Sequence, residues 1–341
     1  MSPEVGRLGR SQRETFGLAL ADLAADNTRL LVLDADLANS TRADIFAAAH
    51  PERFLEMGIA EQNMVGVAAG LATQGFIPVV TTFACFAVYR ALDQVRILVA
   101  QPHLNVKIVG GYSGLLTGFT GKTHQAIDDL SVMRAIPGMV VIASADEVET
   151  RTALRAAVEY VGPVYMRLTR DPGPVLFSDE DTFEIGRARW LQHGRDLTIF
   201  STGQQTTRCL MAAELLAARG LHAAVVHVPT IKPLDVDLIR RAAGATGLIV
   251  TAEEHSVIGG LGAAVAEVLG EVGSMPHLRL GIKDTWGESA SNDALLEKHG
   301  LSASRMAESI EAFTERMPAA RVTPNSRVSS ANHGSAPEKR W

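Results

Sequence analysis

A chain of 341 residues, 47% apolar and 21% charged, has the composition of a globular protein and enough length to bury two ordinary cores. A formal charge of −6 without a long basic run argues against nucleic acid or anionic membrane as the main partner and leaves a small-molecule substrate. Two cysteines, Cys85 and Cys209, lie far apart in apolar surroundings, so neither a disulfide framework nor a thiolate metal site is suggested and a reducing cytosol fits. The opening MSPEVGRLGRSQRET lacks the apolar core of a signal peptide, and no apolar run approaches the ~20 residues that span a bilayer, so a cytoplasmic protein is expected.

In chain order, Arg13 to Asp26 reads as a helix and Leu30 to Leu33 as a buried strand ending in Asp34-Ala35-Asp36. Arg53 to Met57 is a strand, followed by a helix from Glu61 whose residues Met64, Val65, Val67, Ala68, Ala69 and Leu71 are small or apolar. Strand Ile77 to Thr81, an apolar helix through Phe86 to Val99, strand Val106 to Val109 and a Gly-rich loop from Gly110 to Gly121 come next. A helix near Asp128 to Ala135, strand Val140 to Ala143, helix Asp146 to Glu159 and strand Val164 to Leu168 complete the first half. Continuous apolar strands alternating with helices predict a mostly parallel sheet covered on both faces, with ligands at the carboxyl ends of its strands.

Asp171-Pro-Gly-Pro174 and the acidic Ser178 to Asp181 interrupt the rhythm. Residues 1–175 are expected to form the larger three-layer αβα domain, 176–190 a linker and 191–316 a smaller one. Strands Leu197 to Ser201, Ala223 to Val228, Gly247 to Thr251 and Leu278 to Gly281 fall in the second, with a helix after the Gly259 to Gly262 turn. From 317 to 341 the chain is rich in Ser, Asn, Pro, Ala and Arg without periodicity, which predicts a disordered tail.

Four features carry possible chemistry. Glu61 opens a helix directly after Met57-Gly58-Ile59; an acid there complements the helix dipole, worth about 0.3 to 1 kcal/mol, and that alone accounts for it. Phe83, Phe86 and Tyr89 recur at a spacing that places three rings along one side, which core packing also explains. The loop GLLTGFTGKTHQ, Gly114 to Gln125, is too long for a tight turn and carries Thr117, Thr120, Lys122 and His124, as functional loops in α/β domains do. Arg167 and Arg170 end the strand VYMRLTR, where an anion can be held, and one of them is expected to be a plain salt bridge. Glu253, Glu254 and His255 at a strand end are expected in a hydrogen-bonded interface without chemistry. No Rossmann or P-loop glycine pattern, no G-x-S-x-G elbow and no H-E-x-x-H occurs.

Taken in order, GIAEQNM around Glu61, TTFACFAVY, the T-H-Q loop, DDLSVMRAIPGMVVIASAD and TAEEHSVIGGLG resemble the C-terminal half of transketolase over residues 10 to 315. A near neighbour, 1-deoxyxylulose-5-phosphate synthase, shares GIAEQ and the T-H-Q loop. The resemblance implies a pyrimidine-binding domain followed by a transketolase C-terminal domain, and thiamine diphosphate as cofactor. It implies that Glu61 hydrogen-bonds the cofactor's aminopyrimidine, that Phe83, Phe86 and Tyr89 line the pyrimidine pocket, and that His124 contacts substrate near its reacting oxygens. Arg170, with Arg13 and Arg167, matches positions that bind a sugar phosphate. Thr120, Lys122 and His124 complete the implied substrate set.

The G-D-G that precedes the family's magnesium-binding Asn is absent, so the Mg2+ ligands are expected on a partner chain carrying the N-terminal half, in an α2β2 assembly. Alone, the chain is expected to be inactive. Phe119-Thr120 stands where many transketolases carry Glu-Asp, and Lys122 where a small residue or proline is common. The implied activity is transfer of a two-carbon ketol unit from a ketose to an aldehyde. A deoxyxylulose-phosphate-synthase-like condensation and a non-catalytic scaffold or regulatory subunit are the alternatives.

Overall fold

The computed structural model describes residues 7–273 and 275–317, so the expected tail lies, apart from Met317, outside the described residues. In the first half the strands are β1 (Leu8–Ser11), β2 (Leu30–Asp34), β3 (Phe54–Glu56), β4 (Ile77–Phe83), β5 (Lys107–Gly111), β6 (Val140–Ala143), β7 (Val164–Arg167) and β8 (Pro172–Pro174). The second half adds β9 (Arg189–Gln192), β10 (Leu197–Ser201), β11 (Ala223–His227), β12 (Thr230–Lys232), β13 (Ile249–Ser256) and β14 (His277–Ile282).

Seven strands form the larger sheet in the order β12-β6-β7-β5-β4-β2-β3, all parallel except β12. Every residue of β2, β4, β5, β6 and β7 is buried, as expected of strands covered by helices on both faces. The chain runs from β2 out to the β3 edge and then returns to place β4 on the other side of β2, a reversal that opens a crevice at the strands' carboxyl ends. The smaller sheet has the order β14-β13-β10-β11-β9, with β9 antiparallel, and β1 pairs with β8 as a short ribbon. Two α/β units, the first with the larger and mostly parallel sheet, are thus present as the alternation predicts.

The helices start where side chains satisfy their first amide groups. Ser11 caps helix Gln12–Asp26 by accepting from Glu14 N, and Asp146 caps Glu147–Glu159 by accepting from Glu149 N. Gln12–Asp26 buries Phe16, Ala19 and Leu20 in one cluster with Leu154 and Val158 of Glu147–Glu159.

Three findings depart from the expected picture, two of them from its separate cores. β12, from the second half, completes the first sheet by pairing Thr230 with Ile142 and Lys232 with Val141. The largest apolar cluster is shared: Leu33, Met64, Val80 and Tyr165 belong to the same cluster as Val226, Ile231, Ile249 and Leu261. The segment expected as one helix from Phe86 to Val99 contains two π-type stretches, Phe86–Arg90 and Val95–Ala100, flanking the short Leu92–Gln94 turn. No helix among the described residues is long and apolar enough to cross a membrane.

Candidate functional site

Glu61 is set by the turn before it. Glu56, ending β3, accepts from Asp36 N at 2.8 Å and Gly58 N at 2.9 Å, and Gly58 takes φ +67°, a conformation that costs glycine little. That turn delivers Glu61 to the start of helix Glu61–Thr73, with only 1% of it exposed. Its Oε1 accepts from Arg90 Nη1 at 2.5 Å, whereas Oε2 has no partner among the described residues. A buried carboxylate oxygen without a donor is costly, so this atom is arranged to receive one. Asp34, at the end of β2 and paired in register with Glu56, is pushed up to about 6 by burial, against the bonds it accepts from Leu37 N and Thr41 Oγ1.

The aromatic wall starts at the end of β4. Phe83 stacks on Tyr112, just past β5, at 4.0 Å between centroids, and on Phe86 at 5.7 Å. The His124 ring presents its edge to both phenylalanines, at 5.9 Å and 5.5 Å. The Arg90 guanidinium lies 4.3 Å from the Phe86 centroid, which joins Glu61 to the wall through one cation. Tyr89 stands apart: its ring is half exposed and its hydroxyl bonds Asp128, so the structure unites two of the three expected aromatics and adds Tyr112.

Arg13 and Arg170 flank Tyr112 from its other side. Arg13 Nη1 donates to the Tyr112 hydroxyl and to Ser40 O, each at 3.0 Å, and Arg13 Nε to Arg170 O at 3.0 Å. Arg170 sits 5.6 Å from the same ring and only 3.6 Å from Asp171, with its head group partly open to solvent. Thr120 is exposed and bonds Thr117, and Lys122 is exposed without an ion pair among the described residues.

Arg167 takes the ion-pair place expected of one of the two arginines. It is 7% exposed and lies 3.1 Å from Asp129, a contact at ion-pair distance but outside hydrogen-bond alignment, and it donates to Glu254 O at 3.3 Å. Burial and its acidic neighbours leave no face for a substrate phosphate. The reason is tertiary: the end of β7 faces the second half of the chain there. Glu253, Glu254 and His255 are buried in this seam as expected. Glu253 accepts from Leu261 N and Gly262 N, and burial pushes both glutamates up.

Three contributors were given no site role from the sequence. Arg90 follows one helical turn after Phe86, so i, i+4 spacing from an aromatic was the available signal. Tyr112 ends a strand with no pattern to mark it. Glu254 gave only its clustering with Glu253 and His255.

Fold and sequence together define the class. Residues 9–174 match the model described as transketolase, pyrimidine binding domain, and residues 186–306 match transketolase, C-terminal domain. The chain belongs to the transketolase family, and its relatives include separate C-terminal sections. A putative transketolase C-terminal section from Methanocaldococcus jannaschii is 44% identical over 304 residues, 88% of this chain and 95% of the relative. A 6-deoxy-6-sulfo-D-fructose transketolase subunit from a Clostridium strain is 43% identical, covering 89% and 94%. A solved structure described as a split gene transketolase, inactive beta4 tetramer, aligns with TM-score 0.84 at 47% identity, covering 90% of this chain and 99% of that one.

The family implies thiamine diphosphate, and the residues present fit its pyrimidine end. Glu61 Oε2 is an unpaired acceptor, and Phe83 and Phe86 supply flat apolar faces nearby. Among the described residues, no group of three or more His, Cys, Asp or Glu is arranged to hold a metal.

Proposed function

We propose that this chain is one half of a split transketolase, moving a two-carbon ketol unit from a phosphorylated ketose to an aldose. A second polypeptide with the diphosphate-binding domain and the Mg2+ ligands completes the site, in an α2β2 assembly in the cytoplasm. The observation that carries this reading is the unpaired Glu61 Oε2, buried and linked through Arg90 to the Phe83, Phe86 and His124 wall.

Thiamine diphosphate, when bound, supplies the electron sink that lets the carbon–carbon bond beside a ketose carbonyl break. Glu61 Oε2 would pair with a ring nitrogen of the aminopyrimidine, in a site dry enough for one proton to be shared between them. Phe83 and Phe86 would line the ring's pocket and exclude water from it. His124, with its ring edge against theirs, takes or returns a proton at a substrate hydroxyl. Arg13 and Arg170 stand where an anionic sugar terminus meets the Tyr112 end of the wall.

Lys122 adds a cation at the rim of the loop, and Phe119-Thr120 removes an acidic pair. Both favour a sugar with an anionic end, phosphate or sulfonate, and the similar Clostridium subunit is named for a sulfosugar. The solved neighbour is described as an inactive tetramer of one subunit type, in keeping with a chain that is silent by itself.

The test is co-expression with a chain carrying the N-terminal half, followed by assay with thiamine diphosphate, Mg2+ and either ketose phosphate or pyruvate as donor. Ketol transfer is expected from the complex and not from either chain. Glu61→Gln should remove at least about 100-fold of it, the scale of one lost electrostatic stabiliser. Full activity of this chain alone, or of the Gln variant, overturns the reading; activity with pyruvate only favours the synthase-like condensation.

A further inference from the structure

The loop that carries His124 belongs to the first half of the chain, yet it rests on the second. Among the described residues, every hydrogen bond that leaves Leu115–Gln125 ends beyond residue 250. Glu254 Oε1 accepts from both Leu115 N and Leu116 N, the latter at 3.0 Å. Ser289 Oγ donates to Phe119 O at 2.8 Å, and Gln125 Nε2 to Glu288 O at 3.0 Å. The underside of the loop is apolar: Leu115, Leu116 and Ile127 form one cluster with Ile282, Leu295, Leu296 and Leu301. Its first half supplies only the base, where Ser113 N donates to Leu168 O and Gly114 N to Ala126 O.

We infer that the second half of the chain is the positioning platform of the His124 loop, and that Glu254 is its main positioning residue. Both successive amide groups point at one carboxylate oxygen, which fixes the direction in which the loop leaves β5. Gly114 is required for this approach, since a Cβ there would lie 2.2 Å from Glu254 Oε1 and its φ is +70°. Glu254 is itself held, with its carbonyl bonded by Arg167, whose guanidinium is fixed by Asp129. His124 then meets the Phe83 and Phe86 rings from a base with little freedom. The inference rests on the ketol-transfer reading for its catalytic consequence, though not for its geometry.

Two measurements separate these. In the full isolated chain, amide hydrogen exchange over 114–117 should speed up at least about 10-fold in Glu254→Met, which keeps the volume and removes the acceptor, while β4 and β5 keep their protection. Glu254→Gln retains a carbonyl oxygen and should restore most of it. In the reconstituted complex, Glu254→Met should raise the ketose KM and lower kcat/KM about 10- to 100-fold, the effect of a misplaced catalytic group, without changing cofactor affinity. Combined with His124→Ala it should cost no more than His124→Ala alone, because the two act on one step. If Glu254→Met does not fold, Gly287→Ala serves, its Cβ falling 1.8 Å from Gln125 Oε1 and displacing the loop from the same platform. Unchanged exchange over 114–117, or additive losses in the double variant, overturns the inference. A wild-type complex with no ketol transfer overturns the functional reading instead, and the exchange arm still decides the positioning.

Discussion

Arg90 and Glu61 form an unequal pair: the carboxylate is fully buried, while almost half of the guanidinium is open to solvent. One oxygen of Glu61 is therefore neutralised by a half-exposed cation, and the other has no partner among the described residues. Removing the cation alone strands a charge in the core. Arg90→Met should cost about 1 to 3 kcal/mol, between the values for exposed and enclosed pairs. Adding Glu61→Gln should recover much of that loss, and a double-mutant cycle in urea reads the coupling. Additive costs would show that the pair contributes nothing to stability.

Arg167 and Arg170 lie three residues apart and should behave as different kinds of residue. Arg167→Gln leaves Asp129 buried without its counter-charge, a loss of about 3 to 5 kcal/mol in unfolding free energy. Arg170→Gln, at a partly open position, should change stability by less than about 0.5 kcal/mol. In the reconstituted enzyme it should raise the KM for a phosphorylated donor about 10-fold or more, the worth of a charge-assisted hydrogen bond. Equal effects of the two on unfolding would contradict the burial seen here.

Lys107 is enclosed at the start of β5, its Nζ donating to Tyr160 O at 2.6 Å and Gly162 O at 2.7 Å, and burial pulls its pKa down to about 7. The unfolded chain keeps an ordinary lysine near 10.5 and so binds more protons than the folded one between the two values. Stability from this group should therefore rise as pH increases from about 7 towards 10, with a slope of up to about 1.4 kcal/mol per pH unit. The urea midpoint of the wild type relative to that of Lys107→Met should rise steadily across that range. A gap that stays constant with pH means that the ammonium is not titrating there.

Two helical glycines should respond to alanine with opposite signs. In Gly17→Ala the new Cβ would fall 2.2 Å from the Arg42 carbonyl oxygen, a backbone atom that cannot swing away, so a loss of about 1 to 3 kcal/mol is expected. At Gly70 nothing lies within 4 Å, so Gly70→Ala should gain about 0.5 to 1 kcal/mol from reduced freedom of the unfolded chain. Thermal melts of the isolated chain decide both.

The strands were legible because β2 and β6 are almost wholly apolar and β4 and β10 are apolar apart from buried threonines and an end serine, a pattern suited to a doubly covered parallel sheet. β12 was not, since Thr230, Ile231 and Lys232 carry no periodicity and their pairing with β6 is set by tertiary contact. Glu61 and His124 stood out once several motifs were read in order. Arg167 and Arg170 could not be told apart because a strand's carboxyl end is open to ligand or closed by a neighbouring layer, and local sequence does not distinguish the two. Arg90 was passed over for a related reason: a charge after a run of aromatics reads as surface, and half of it is.

The three residues of β12 have a consequence for any break in the chain near the 176–188 connection. A protease nick there would leave the protein as a single particle, because Thr230 and Lys232 remain laced to Ile142 and Val141 and the common apolar cluster remains closed. Cutting the later part away altogether would bare the β6 edge, a ready template for strand addition by another molecule. The non-covalent seam is thus enough to hold the halves together without the covalent connection, and dissection at the sequence boundary should yield precipitate from the first half rather than a working domain.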